Sequence, residues 1–264
     1  MLINPQAGGG RAGKLQASIE LALKQKDIRL IVKSSTAPGS IRDELATTGL
    51  SGFDAVLAAG GDGTLFETVN GLMAHPPETR PALGVLPIGT GNAFCRDLGL
   101  APGDWQSAIA LILGGQTRKV DVGQVDHAGG RVYFLNIAGM GFVVAAGLTA
   151  ARLKGLGQST YTLAALWQTM RLPSQELRIT VDGRLIEQDS LFVEISNSRY
   201  TGTSFLMAPG ARLDDGLLDL TLVRKLSRPR LLRLFHTIYS GQHVNYPEVL
   251  TDKGREFQIL QPAG

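Results

Sequence analysis

The chain has 264 residues, 44% hydrophobic and 19% charged, a globular composition that excludes disorder over most of its length. Its formal net charge of +3 is mildly basic, which suits anionic partners such as nucleotides or acidic lipid headgroups and is too weak to indicate nucleic acid. A lone cysteine, Cys95, excludes a disulfide framework within the chain and fits a reducing compartment; Met1–Pro5 does not read as a signal peptide, and no apolar run approaches the roughly 20 residues of a membrane span.

In chain order, the first part alternates strand and helix. Ile28–Val32 reads as a strand, Ile41–Ala46 as a helix, and Phe53–Ala59 as a buried strand ending in Gly-Gly. Thr64–Met73 carries Leu65, Val69 and Leu72 at helical spacing, Leu83–Pro87 is a further buried strand, and Trp105–Leu113 is a helix stopped by Gly114-Gly115. This alternation predicts a parallel sheet covered by helices. Beyond Thr117–Lys119 the pattern turns to strands: Val120–Val125, Val132–Ile137, Leu177–Val181, Leu185–Ile186, Leu191–Ile195 and Leu217–Val223, with a hairpin turn at Asp182-Gly183 and helices at Tyr161–Met170 and Pro229–Tyr239. The predicted class is α/β plus β: an α/β nucleotide-binding domain over residues 1–118 and an antiparallel β-sandwich over 119–264.

Three glycine-rich segments follow candidate strands: Asn4-Pro5-Gln6-Ala7-Gly8-Gly9-Gly10, Gly60-Gly61-Asp62-Gly63-Thr64 and Pro87-Ile88-Gly89-Thr90-Gly91-Asn92. Ligands of open parallel sheets bind beyond the carboxyl ends of the strands, and loops without bulky side chains let main-chain N–H groups approach a polyanion. Asp62 is the informative residue. A carboxylate among phosphate-binding glycines repels the ligand unless a cation bridges them or the carboxylate takes a proton from an attacking hydroxyl. Both roles belong to phosphoryl transfer. Gly8 to Lys14 also fits most of a P-loop, but Leu15 stands where Ser or Thr is needed for Mg²⁺, so Lys14 is read as the exposed first turn of a helix.

Together these motifs resemble the diacylglycerol kinase catalytic-domain family, which includes bacterial soluble lipid kinases and the sphingosine and ceramide kinases. The matching residues are Asn4-Pro5-x-Ala7-Gly8, Gly60-Gly61-Asp62-Gly63-Thr64 leading into Glu67-x-Val69-Asn70-Gly71, Gly84-x-x-Pro87-x-Gly89-Thr90-Gly91-Asn92, and the late segment from Ala208-Pro209 to Leu220. The resemblance implies a Rossmann-like nucleotide domain and a β-sandwich lipid-binding domain with the active site in the cleft between them. It implies a kinase that moves the γ-phosphoryl group of ATP, with Mg²⁺, onto a membrane lipid such as diacylglycerol. By the same resemblance, Asn4, Pro5, Gln6, Ala7, Gly8, Thr36, Gly60, Gly61, Asp62, Gly63, Thr64, Leu65, Phe66 and Thr90 line the nucleotide, and Asp62 sits closest to the transferred phosphate. Asp215 holds Mg²⁺ with the carbonyls of Arg212 and Leu217. Read without the resemblance, Asp214-Asp215-Gly216 offers two carboxylates on a turn that suit a hard cation, but an ordinary hairpin turn is the favoured reading. Two departures stand out. Ala93 replaces an Asp common in bacterial members, closer to the sphingosine-kinase version. The family also continues past Glu256–Leu260 into an Asp-Gly-Glu segment carrying a proposed general base, and this segment is expected to be missing from the chain as it stands.

The partners expected are ATP, a lipid substrate, a peripheral membrane surface in the cytoplasm and a second copy in a homodimer, and not nucleic acid. Arg224, Lys225, Arg228, Arg230 and Arg233 form a basic cluster without acidic neighbours, beside an apolar stripe of Leu231, Leu234, Phe235 and Ile238; the stripe is expected to pack on the sandwich, and the cations to face anionic lipid. Phe134, Ile137, Met140, Phe142, Val143, Leu163, Leu166 and Trp167 are shared candidates for a lipid-tail cavity and for core. The four histidines show no zinc spacing. Two other functions are open on the sequence: a kinase for a soluble substrate such as NAD, which shares the Gly-Gly-Asp-Gly-Thr element, and a nucleotide- or lipid-binding regulator with impaired catalysis.

Overall fold

The computed structural model describes residues 1–25, 28–141, 175–202 and 204–260. The chain divides into two compact units, Met1–Leu135 and Asn136–Gly264. In the first, strands β1 (Leu2–Ile3), β2 (Lys33–Ser34), β3 (Ala55–Gly60) and β4 (Ala82–Pro87) alternate with helices α1 (Arg11–Lys24), α2 (Ser40–Thr47), α3 (Asp62–Leu72), α4 (Ala93–Asp97) and α5 (Trp105–Leu113). The strands are all parallel, in the order β2-β1-β3-β4.

β3 is apolar throughout, Ala-Val-Leu-Ala-Ala-Gly, as a strand covered on both faces must be. Side chains of β1 separate the two layers of core. Ile3 packs with Ala12, Ile19 and Leu23 of α1 and Ala108 and Ile109 of α5. Leu2 packs with Ile41 and Leu45 of α2, Val56, and Leu72 of α3. A hairpin, β5 (Gly123–His127) and β6 (Gly130–Phe134), completes the unit. Asn70 of α3 ties it down: its Nδ2 donates to the Tyr133 carbonyl at 2.8 Å and its Oδ1 accepts from the Tyr133 N–H at 2.9 Å. This tie puts the compact division after Leu135, where the sequence pattern alone suggested residue 118.

The second unit holds β7 (Ile137–Gly141), β8 (Gln175–Val181), β9 (Arg184–Ser196), the short pair β10 (Tyr200–Thr201) and β11 (Phe205–Leu206), then β12 (Leu218–Arg224), helix α6 (Arg228–Thr237), β13 (Val249–Gly254) and β14 (Phe257–Leu260). Six strands form one antiparallel sheet, β13-β12-β9-β8-β14, with β7 also paired to β9. Asp182 at φ 47° and Gly183 at φ 84° make the tight β8–β9 turn, a geometry that favours this dipeptide. The apolar stripe of α6 is buried: Leu234, Phe235 and Ile238 pack with Phe192, Phe205, Met207, Val223 and Val249. Arg230 is drawn to Glu248, with Nε to Oε1 at 2.8 Å.

Some expected elements differ. Ile28–Val32 is not laddered; β2 lies just beyond it, where Lys33 and Ser34 pair with Leu2 and Ile3. The two segments predicted at Leu185–Ile186 and Leu191–Ile195 are one strand, β9, whose first half pairs with β8 and second half with β7 and β12. Val132–Ile137 is split between β6 and β7. The helix expected at Tyr161–Met170, and Phe142, Val143, Leu163, Leu166 and Trp167, lie outside the described residues. No helix among the described residues is long and apolar enough to cross a membrane.

Candidate active site

Because β1, β2, β3 and β4 run parallel, the loops that follow them emerge at one edge of the sheet. The first loop turns on itself: the Asn4 side chain accepts from the Gln6 N–H at 3.0 Å, and the Asn4 carbonyl accepts from the Ala7 N–H at 3.0 Å. Gly8, Gly9 and Gly10 then take φ of 63°, 68° and 86°, left-handed backbone that only glycine adopts without strain, and lead into α1. A Cβ on Gly8 would stand 2.7 Å from the Ile88 carbonyl oxygen, so this loop lies directly against the one after β4.

The second and third glycine loops touch as closely. A Cβ on Gly89 would stand 2.3 Å from Gly61 Cα. The N–H groups of Ile88 and Gly89 both donate to the Gly60 carbonyl, at 3.1 and 2.8 Å. Asn92, at φ 52°, is buried and donates from Nδ2 to the Gly89 carbonyl at 2.9 Å. No carbonyl among the described residues accepts from the N–H groups of Gly8, Gly9, Thr90 or Gly91. Amides of this kind on adjoining turns at helix N-termini are what an anion requires.

Asp62 opens α3 where these loops meet. It is half-buried, and its Oδ1 accepts from the Ala93 N–H at 2.9 Å. Its negative charge is near enough to add to the effect of burial on Cys95, whose thiol is pushed up to about 12 and is therefore inert packing. Thr64 is buried behind Gly60, where a Cβ would meet Thr64 Oγ1 at 2.2 Å. Leu65 is core, and its N–H donates to the Gly61 carbonyl, so it supports the loop from behind. Phe66 is 43% exposed. Thr36 and Thr90 are exposed on the loops after β2 and β4. The P-loop reading fails here: Lys14 points to solvent from the first turn of α1.

In the second unit, Asp215 and Gly216 form the turn before β12. Asp215 Oδ1 accepts from the Leu217 N–H at 3.1 Å, Gly216 has φ 71°, and Arg212 pairs with the exposed Asp214 at 3.8 Å. Asp219, at the base of the turn, is buried beside Lys253 Nζ at 3.2 Å; burial raises its carboxyl, Lys253 lowers it, and the charge of Asp215 raises it further. Lys253 Nζ also donates to the Gly210 carbonyl at 2.7 Å, closing the loop onto β13. Among the described residues no three acidic, histidine or cysteine side chains gather as a metal site; the set expected here has one carboxylate and two carbonyls.

Comparison with known proteins matches both units. Residues 1–125 fit the diacylglycerol kinase catalytic domain, and residues 136–263 fit the YegS C-terminal NAD kinase beta sandwich-like domain. A diacylglycerol kinase of Bacillus subtilis strain 168 is 30% identical over 261 residues, covering 98% of this chain and 84% of that protein. The chain belongs to the diacylglycerol kinase family. A diacylglycerol kinase of Mycobacterium tuberculosis strain CDC 1551 / Oshkosh is 32% identical over 264 residues, covering 99% of this chain and 84% of that one. The crystal structure of a diacylglycerol kinase from Bacillus anthracis strain Sterne superposes with a TM-score of 0.78 at 27% identity, covering 99% of this chain and 85% of that chain. As a member of the diacylglycerol kinase family, the chain is a phosphotransferase with an alcohol group as acceptor.

Sequence reasoning missed one residue of this edge, Arg11, and gave no role to another, Glu67, which it named only within a matching motif. Arg11 Nη2 donates to the carbonyls of Gly89 at 2.8 Å and Ile88 at 3.4 Å, pinning the first loop to the third. Glu67 reaches the loop after β2. Arg11 follows the first glycine run directly, a position that could have marked it, whereas the partners of both residues are far away in sequence.

Proposed function

We propose that this kinase is ATP- and Mg²⁺-dependent and phosphorylates the hydroxyl of a membrane lipid such as diacylglycerol. One observation carries the reading: three glycine loops in contact at one sheet edge, with the Asp62 carboxylate at their junction. In this reading the amides of Gly8 and Gly9, the start of α3 and Thr90 hold the triphosphate, and Asn4 to Ala7 and Thr36 flank the nucleotide. Asp62 accepts the proton of the lipid hydroxyl as its oxygen bonds to the γ-phosphorus. The bond from that phosphorus to the β–γ bridging oxygen breaks, and ADP leaves.

The turn around Asp215 fits a hard cation, because its donor set is all oxygen. Asp215 and the carbonyls of Arg212 and Leu217 would hold Mg²⁺, which supplies charge neutralisation when bound. Lys253 and Asp219 keep the turn in place from beneath. The lipid is reached by peripheral attachment at the cytoplasmic face of a membrane.

Labelled phosphate transfer from ATP to a mixed lipid extract, run beside NAD, tests the reading. Label in the organic phase is expected, and D62N should lower kcat by about 10²-fold or more without loss of fold. Label on NAD would move the assignment to a soluble acceptor, and binding without transfer would make the chain a regulator.

A further inference from the structure

Helix α2 starts without a cap of its own. Its N-cap is Gly39, at φ 84°, which has no side chain to accept the first-turn N–H groups. Ser40 cannot substitute, because its hydroxyl is turned back into the preceding loop. There Oγ accepts from the N–H groups of Thr36 and Ala37, at 3.1 and 3.3 Å, and donates to the Ala37 carbonyl at 2.7 Å. The missing acceptors come from another helix. Glu67 of α3 accepts from the Gly39 N–H with Oε1 at 2.9 Å and from the Ile41 N–H with Oε2 at 3.1 Å. A carboxylate in this place also suits the positive end of α2.

Asp62 and Glu67 are therefore two arms of one helix. Five residues apart, they project about 140° from each other around the axis. Asp62 holds the loop after β4 through Ala93, and Glu67 holds the loop after β2. Those two strands are the outer members of the sheet, and α3 follows β3 between them.

We propose that Glu67 is a positioning residue for the nucleotide: through the N–H groups of Gly39 and Ile41 it fixes the Ser35–Gly39 loop, and Thr36 with it, relative to Asp62. Glu67 itself touches no substrate. The inference rests on the nucleotide reading of the glycine loops. A glutamine keeps the shape of Glu67 but has one acceptor oxygen, so it can satisfy one of the two N–H groups.

The test measures ATP affinity directly, by displacement of a fluorescent ATP analogue, and by steady-state kinetics with a diacylglycerol acceptor. E67A is expected to raise the Kd and KM for ATP about tenfold, with kcat at saturating ATP and the KM for lipid held within about twofold; E67Q should fall between E67A and wild type. Unchanged ATP affinity in a folded E67A, or a loss confined to kcat, overturns the proposal. If E67A does not fold, E67Q decides alone: a KM for ATP equal to that of wild type overturns it. Wild-type protein that binds no ATP removes the nucleotide reading, and the proposal with it. ATP binding unaltered by either variant removes only the role of Glu67.

Discussion

Glu194 sits on β9 with no exposed surface, accepting the Ser196 hydroxyl on Oε1 at 3.1 Å, while its Oε2 has no partner among the described residues. Burial pushes its carboxyl up to about 8, against the smaller opposing effect of Ser196. The folded protein thus keeps a proton that the unfolded chain gives up near the ordinary value of 4.5. The sign follows from linkage: stability from this group is greatest below the unfolded value and declines as pH rises towards about 8, by at most about 1.4 kcal/mol per pH unit. E194Q cannot ionise, so its melting temperature should gain on wild type from pH 5 to pH 8 and level off above that window. A gap independent of pH would show that Glu194 is not held neutral. Cys95 contrasts with it: the shift there leaves the thiol protonated at every physiological pH, and no chemistry depends on it.

At the scale of elements, the glycines of the site serve close approach as well as turning. Gly89 does not have a positive φ, yet its missing side chain lets its backbone rest on Gly61, whose Cα and N would lie 2.3 and 2.6 Å from a Cβ. Both obstacles are backbone, so neither can rotate away. G89A must separate the loops after β3 and β4; a loss of about 1–3 kcal/mol in chemical denaturation is expected, together with a raised KM for ATP. Wild-type stability and KM in G89A would mean the loops tolerate separation and that their contact does not shape the site. Helix α6 carries a different lesson. Its apolar residues Leu234 and Phe235, with Ile238 just beyond, are packed on the sheet, so among its described side chains the ones left to serve the proposed membrane attachment are charged. Arg230 is engaged by Glu248 and stacks 4.9 Å over the Tyr246 ring, while Arg224 and Arg233 are exposed.

For the whole molecule, the proposed membrane attachment should be salt-sensitive. With a net charge of +3 and Leu234, Phe235 and Ile238 buried, partitioning onto anionic vesicles should depend on the cations of the second unit. Replacing Arg224 and Arg233 by glutamine is expected to weaken vesicle sedimentation by about 1 kcal/mol per charge at low salt, and the difference should vanish near about 0.5 M salt. Equal partitioning of variant and wild type at low salt would remove this cluster from the membrane face.

The sequence by itself determined the class of each unit, since a fully apolar Ala-Val-Leu-Ala-Ala-Gly strand demands cover on both faces and Asp182-Gly183 demands a tight hairpin. It also marked Asp62 and the three glycine loops, because residue type alone limits what such loops can do. Only the tertiary structure decided that these loops touch, that Asn70 carries the β5–β6 hairpin into the first unit, and that Glu67 caps a helix 26 residues earlier. The physical reason is the same in each case. Local pattern fixes backbone conformation, but a hydrogen bond between distant residues exists only once the sheet order has brought its donor and acceptor together.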